Sequence, residues 1–394
     1  MQKFWVWLVT RKGLGMRSAY QALRQFPSVE ALYYADEAAY QAAGLQRYAP
    51  LLDKDLWLPQ EILRRCYDRG ISVLTWQDSC YPQLLRSLED PPLVLYYKGK
   101  LPPDNSLTIG VVGTRAASVN GQLQARRLGY SLGRCGCTLV SGGAKGIDAA
   151  AMEGALTGGG HVVAVLGGGV DVVYPRSNRR LFEEVVWHGC LLSEYPPGTQ
   201  PLAAHFPVRN RIISGLSHGL LVVEAPEKSG ALITAYAALE QGRDVFAVPG
   251  SPGVKTCGGN LNLLREGAIL VRNAVDILQE YEGPYPDLVA RCVQAQQELD
   301  ARAEPARPET PPPAAEEPGP EPIPQTVLDA MSPEEQRICA LLQARGNMQI
   351  DNLVAETGIP AGQALAALTL LEVKGVVRRL PARYFTLAGG ATCK

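Results

Sequence analysis

The sequence predicts an α/β protein: a doubly wound, mostly parallel sheet, preceded by a small helical module and followed by three helices and a hairpin. Three observations carry that expectation. From about residue 70 to residue 271, short runs rich in Val, Ile and Leu alternate with amphipathic stretches, the pattern of βαβ units whose strands are covered on both faces. Residues 1–65 lack that alternation and show helical spacing, broken at Gly13-Leu14-Gly15, Phe26-Pro27-Ser28 and Ala43-Gly44-Leu45. Residues 301–325 are mostly Pro, Glu and Ala, with almost no side chain able to offset the entropy of ordering.

Taken in order, residues 1–65 read as a small all-helical domain. The Gly-Leu-Gly turn suits a SAM-like or helix-hairpin-helix unit that touches DNA backbone, and suits a plain packing domain equally well. Strands are expected at Ile71–Thr75, Leu93–Tyr97, Thr108–Val112, Thr138–Ser141, Val162–Leu166, Leu220–Glu224, Asp244–Val248 and Ile269–Val271. They make residues 66–290 a Rossmann-like domain. A Pro/Glu-rich disordered linker is expected over 291–330. Helices at Pro333–Arg345, Ile350–Thr357 and Ala361–Lys374, then a hairpin at Val376–Leu380 and Tyr384–Leu387, make residues 331–394 a winged-helix domain.

A chain of 394 residues with 46% hydrophobic and 20% charged content has room for two or three domains of ordinary globular type. Its net charge of −1 hides an asymmetry: residues 108–272 carry 15 basic against 11 acidic side chains, and residues 273–394 carry 10 against 17. The middle segment is therefore the one suited to an anion. Nine cysteines form no CxxC pair, so the pattern points to free thiols rather than a zinc site or a disulfide framework. The apolar run Phe4–Val9 is short and its basic residues mostly follow it, the wrong order for a signal peptide, and no run is long enough to span a membrane. These features predict a cytoplasmic protein.

Two kinds of residue pattern bear on function. In Ser141-Gly142-Gly143-Ala144-Lys145-Gly146 a strand runs into a glycine turn that opens a helix near Lys145. Its spacing is neither a dinucleotide fingerprint nor a P-loop; it suits either a phosphate held on backbone N–H groups or a tight packing turn. Arg115, in Gly113-Thr114-Arg115, follows a strand at the carboxyl end, where open sheets hold ligands; a surface ion pair is the alternative. In Phe206-Pro207-Val208-Arg209-Asn210-Arg211 the two arginines project about 200° apart on a helix, so one faces a ligand while the other takes a carboxylate, Glu224 being a candidate. Phe206 suits base stacking or core packing equally. Ser229-Gly230 reads as a helix N-cap in the wall of such a pocket. His161, His205 and His218 have no metal-ligand spacing, and no nucleophile–base pair stands out.

These motifs, with Ser229-Gly230-Ala231-Leu232-Ile233-Thr234 and Phe246-Ala247-Val248-Pro249-Gly250, occur in an order that resembles the DNA-processing protein A (DprA/Smf) family over roughly residues 70–272. The resemblance implies a non-enzymatic protein that binds single-stranded DNA, forms a homodimer and helps load the RecA recombinase in natural transformation and homologous recombination. It implies DNA contacts at Gly113, Thr114, Arg115, Ser141, Gly142, Gly143, Lys145, Phe206, Arg209 and Arg211, with no metal and no cofactor. Relatives often carry a lysine where this chain has Ala203; Lys145, Arg176, Arg179 and Arg180 are candidates to replace it. Ala361–Lys374 offers few base-reading side chains, so the winged helix is expected to contact protein or to bind DNA weakly. A phosphoribohydrolase-like enzyme is the rival reading, and residues 224–234 lack the motif of that class.

Overall fold

The computed structural model describes residues 1–103, 105–303, 325–328, 331–380 and 384–388. The chain divides into two compact units, Met1–Ala303 and Glu304–Lys394. In the first, helices α1 (Gln2–Thr10), α2 (Met16–Arg24), α3 (Val29–Tyr34), α4 (Glu37–Ala42) and α5 (Trp57–Asp68) precede the sheet. Its strands are β1 (Ser72–Thr75), β2 (Val94–Gly99), β3 (Thr108–Val112), β4 (Thr138–Ser141), β5 (His161–Val165), β6 (Gly189–Ser193), β7 (Gly219–Val222), β8 (Asp244–Ala247) and β9 (Ile269–Leu270). Between and after them lie α6 (Gln83–Arg86), α7 (Val119–Cys135), α8 (Ile147–Thr157), α9 (Arg179–His188), α10 (His205–Gly215), α11 (Gly230–Glu240), α12 (Gly258–Arg265), α13 (Val275–Leu278) and α14 (Pro286–Ala303).

The strands form one sheet in the order β1-β2-β6-β5-β4-β3-β7-β8-β9. The seven strands from β6 to β9 are parallel, and β2 and β1 extend the other edge antiparallel. Alternate side chains feed two apolar layers: Ile109, Val111 and Leu139 point to α7 and α8, while Val112, Val140 and Val222 point to α10 and α11. The sheet is therefore buried on both faces, as expected for a doubly wound fold. β6 was not foreseen; it starts directly where α9 ends, on the glycine that caps that helix, and its apolar run is only Cys190-Leu191-Leu192.

The helices before the sheet are not a separate body. Trp5, Val6, Trp7 and Leu8 of α1 join Tyr96, Ile109 and Leu139 in one core, so the boundary expected after residue 65 falls in the last turn of α5 with no break in packing. Lys54 is held in this region by aromatic rings: its Nζ lies 4.9 Å from the Tyr40 centroid, 5.2 Å from Trp7 and 5.4 Å from Tyr33. It donates to the carbonyl of Ala35 (3.0 Å) and to the Tyr40 hydroxyl (2.5 Å). Burial lowers its pKa to about 8.

Helices α7 and α8 pack backbone to backbone. A Cβ on Gly129 or Gly133 would strike the carbonyls of Ala151 and Ala155, and one on Gly154 or Gly158 would strike those of Arg126 and Tyr130. The linker start expected at residue 291 falls inside α14, because Leu288, Val289 and Cys292 bury their side chains in the first unit's core. The Pro/Glu-rich stretch over 304–324 lies outside the described residues.

The second unit holds α15 (Gln325–Leu328), α16 (Pro333–Arg345), α17 (Ile350–Thr357), α18 (Ala361–Val373) and a sheet of β10 (Met348–Gln349), β12 (Tyr384–Leu387) and β11 (Val377–Leu380), in that order. A full capping box, Ser332 with Glu335, starts α16 at the expected Pro333. Ile338, Leu342, Leu353, Leu368, Leu371 and Phe385 form its core. Three helices with a β-wing match the expected architecture.

Candidate nucleic-acid interface

The chain runs from β3 outward through β4, β5 and β6, then returns to the far side of β3 for β7. The order of strands therefore reverses between β3 and β7, and in open α/β sheets a crevice opens at the carboxyl ends of two such strands. A cleft of about 770 Å³ lies there, lined by Gly113, Thr114, Arg115 and Ala116 after β3, by Phe206, Arg209 and Asn210 of α10, and by Pro226, Lys228 and Ser229 after β7.

Local sequence explains the two walls. On the β3 side, Ser118 accepts from the N–H of Gly121 to start α7, and its hydroxyl donates to the Glu224 carboxylate (2.8 Å). Glu224 is thereby committed to holding the loop that carries Arg115. On the α10 side, the Phe206 ring lies over Gly167, where a Cβ would come within 3.2 Å of it. Two guanidiniums approach this ring, that of Arg115 at 5.0 Å and that of Arg209 at 5.7 Å from its centroid. Tyr174, 46% exposed, stands 5.8 Å from it. Arg115 is exposed and has no ion pair among the described residues. A cation beside a half-exposed aromatic face is the pairing that holds a phosphate and a base together.

Arg209 has a different role. It is buried, and its guanidinium donates to the carbonyls of Gly142 (2.7 Å) and Val165. Asp148 sits beside it and accepts from the backbone N–H groups of Ala144, Gly113 and Gly142. Burial raises the Asp148 carboxyl above its usual range against the pull of Arg209, and burial lowers Arg209 to about 10. The glycine turn does hold an anion, as its N–H groups favour, but the anion is the protein's own carboxylate. A Cβ on Gly142 would lie 2.8 Å from both Arg209 and Asp148, which explains the glycine there.

The structure thus sorts the sequence-predicted residues. Gly113, Thr114, Arg115, Phe206 and Arg209 meet at the cleft. Ser141 is buried and donates to the carbonyl of Val111; Gly142 and Gly143 are buried beneath the cleft, and Lys145 is exposed outside its lining. Arg211 points away from it, to Glu194 (2.5 Å) and Asp90 (3.4 Å). Glu224 is not its partner: the 200° turn between Arg209 and Arg211 sends the second arginine to the opposite side of α10. Ala203 does line the cleft, and so does Lys228, a cation that sequence reasoning passed over because its loop read as a pocket wall. Arg176 and Arg179 line an adjoining recess of about 500 Å³ that shares Tyr174 and Pro201 with the cleft.

Among the described residues no group of His, Cys, Asp or Glu is arranged to hold a metal, and no single helix is long and apolar enough to cross a membrane.

Residues 72–282 match the family described as DNA recombination-mediator protein A, and residues 308–383 match the DprA winged helix domain. Protein Smf of Synechocystis is 38% identical over 331 residues, covering 82% of both chains. The DNA processing protein DprA of Streptococcus pneumoniae is 46% identical over 205 residues, covering 52% of this chain and 72% of that protein. The solved structure of DprA from Streptococcus pneumoniae superposes with a TM-score of 0.63 at 36% identity, covering 71% of this chain and 98% of that one. Fold, motif order and both matched regions agree: the chain belongs to the DprA/Smf family of DNA-processing recombination mediators.

Proposed function

We propose that this protein binds single-stranded DNA in the cleft between β3 and β7, with Arg115 and Lys228 on phosphates and Phe206 stacked on a base. The observation that carries the reading is the Arg115–Phe206 pair, a free cation and an aromatic face at the switch point of the sheet. Buried Arg209 and Asp148 hold that geometry rigid from below. The protein acts without chemistry on the DNA, in the cytoplasm, as a recombination mediator that helps load RecA during natural transformation.

One exposed apolar face of the first unit suits a homodimer. Tyr236 and Leu239 of α11 and Leu270 of β9 are 43–50% exposed at the β8–β9 side of the sheet. Such an apolar face calls for a partner, and a second copy supplies a self-complementary one.

Fluorescence anisotropy on single-stranded and duplex oligonucleotides across a salt series tests the reading. Single strands bind more tightly, with a log–log salt slope of about −0.7 per phosphate neutralised. Equal or tighter duplex binding at every salt concentration refutes it.

A further inference from the structure

A second cavity, of about 410 Å³, lies along α7 and shares no lining residue with the cleft between β3 and β7. From α7 it takes the row Leu123, Arg127 and Ser131, spaced four residues apart and so stacked on one face of the helix. Gly154 and Thr157 come from α8, Asn273 and Ala274 from the segment between β9 and α13, and Gln296 from α14. Its volume falls within the range of small-ligand sites, roughly 300–1,000 Å³.

We propose that this cavity binds a nucleoside monophosphate, with the phosphate on Arg127 and the base against the apolar lining. Three arginines line the cavity and, among the described residues, no carboxylate does. Arg126 is already paired to Glu153 (2.5 Å) and Arg272 to Asp276 (2.9 Å). Exposed Arg127 has no ion pair among the described residues, so its charge is the one left for an anion. Leu123, Leu128 and Ala274 supply apolar surface for a flat ring. Amides set the rest of the chemistry. The Oδ1 of Asn273 accepts from the N–H groups of Val275 (2.9 Å) and Asp276 (3.3 Å), so the side chain has its N–H groups to offer a ligand. Half-buried Gln124 adds a second amide. Ring nitrogens and carbonyls on a base match such groups. Inorganic phosphate would use Arg127 and leave the apolar surface wet, and a fatty acid would use both and leave the amides without partners. A flat ring with polar edges and one phosphate satisfies all three.

Isothermal titration of the full chain with AMP, GMP, CMP and UMP, beside inorganic phosphate, tests the proposal. At least one nucleotide is expected to bind with a dissociation constant below about 1 mM, and about tenfold or more tighter than phosphate. Arg127→Ala should weaken that binding by about tenfold or more, and Ser131→Phe, which fills the cavity without changing charge, should abolish it. Both variants should keep wild-type affinity for a single-stranded oligonucleotide, since neither residue lines the cleft. Absence of binding by all the nucleotides up to about 10 mM, phosphate binding as tightly as they do, or nucleotide affinity unchanged in Arg127→Ala overturns the proposal. Arg127 is exposed, so its variant decides the question even where Ser131→Phe fails to fold.

Discussion

The guanidinium of Arg115 lies 5.0 Å from the centroid of the Phe206 ring and meets no carboxylate among the described residues. A cation left unpaired beside an aromatic face contributes little to folding and is available to a ligand. Arg115→Ala should therefore weaken single-strand binding by about ten- to a hundredfold, the loss of one charge-assisted contact of about 1.5–3 kcal/mol. Anisotropy titration with a parallel urea melt checks this; an unchanged dissociation constant with an intact fold places Arg115 outside the site.

Arg211 should behave in the opposite way. Its partner Glu194 has a side chain only 6% exposed, and burial already raises its carboxyl. Arg211→Met strands that carboxyl without its cation, a change that costs about 3–5 kcal/mol when a buried pair is broken. Urea unfolding should show the loss, while the affinity of the folded protein for single-stranded DNA stays within about twofold of wild type.

Lys54 gives the fold a pH dependence of definite sign. Its folded-state pKa is about 8 against an ordinary value of 10.5, lowered by burial. Between those values the unfolded chain binds more protons, so stability rises with pH through that window and the full penalty is present below pH 8. Tyr40, raised to about 12 by burial, does not titrate there. In urea melts of wild type and Lys54→Met, the midpoint difference should move in favour of wild type between pH 7 and pH 9.5. A difference constant across that range contradicts the assignment.

Residues 1–303 form one compact unit, and the cleft lies wholly within it. That fragment should keep single-strand affinity, and it sheds an acidic tail whose repulsion opposes DNA. Light scattering on the fragment reports whether the α11–β9 face holds the dimer. Loss of binding assigns the winged helix to the DNA site, and a monomer moves the dimer contact there.

The parallel sheet was legible because its strands are continuous apolar runs, and the winged helix because three stretches of helical spacing, with Gly358-Ile359-Pro360 between the second and third, precede a hairpin. β6 was not, since its apolar run of three residues follows a helix-capping glycine with no loop between to separate strand from helix. Nor is strand direction written in composition, so the antiparallel edge of β1 and β2 came only with the structure. At the site, residue types were readable and partners were not. The glycine turn announced an anion, but only folding brings the Asp148 carboxylate into it. Arg211 finds Glu194, 17 residues earlier in the bend just after β6, and no local pattern could have preferred that residue to Glu224.

The glycine seam between α7 and α8 sets how the cleft responds to an occupant. Where backbone rests on backbone there is no rotamer to change and no methyl group to yield, so a push on the Arg115 loop at one end of α7 travels as rigid-body displacement or not at all. If the proposed DNA site is the right one, the nucleic acid would have to do the conforming. A flexible strand could lay its bases and phosphates onto fixed points, whereas a duplex would have to unstack to do so, and the proposed discrimination between the two would be a matter of mechanical compliance in the guest rather than of any base read by the host.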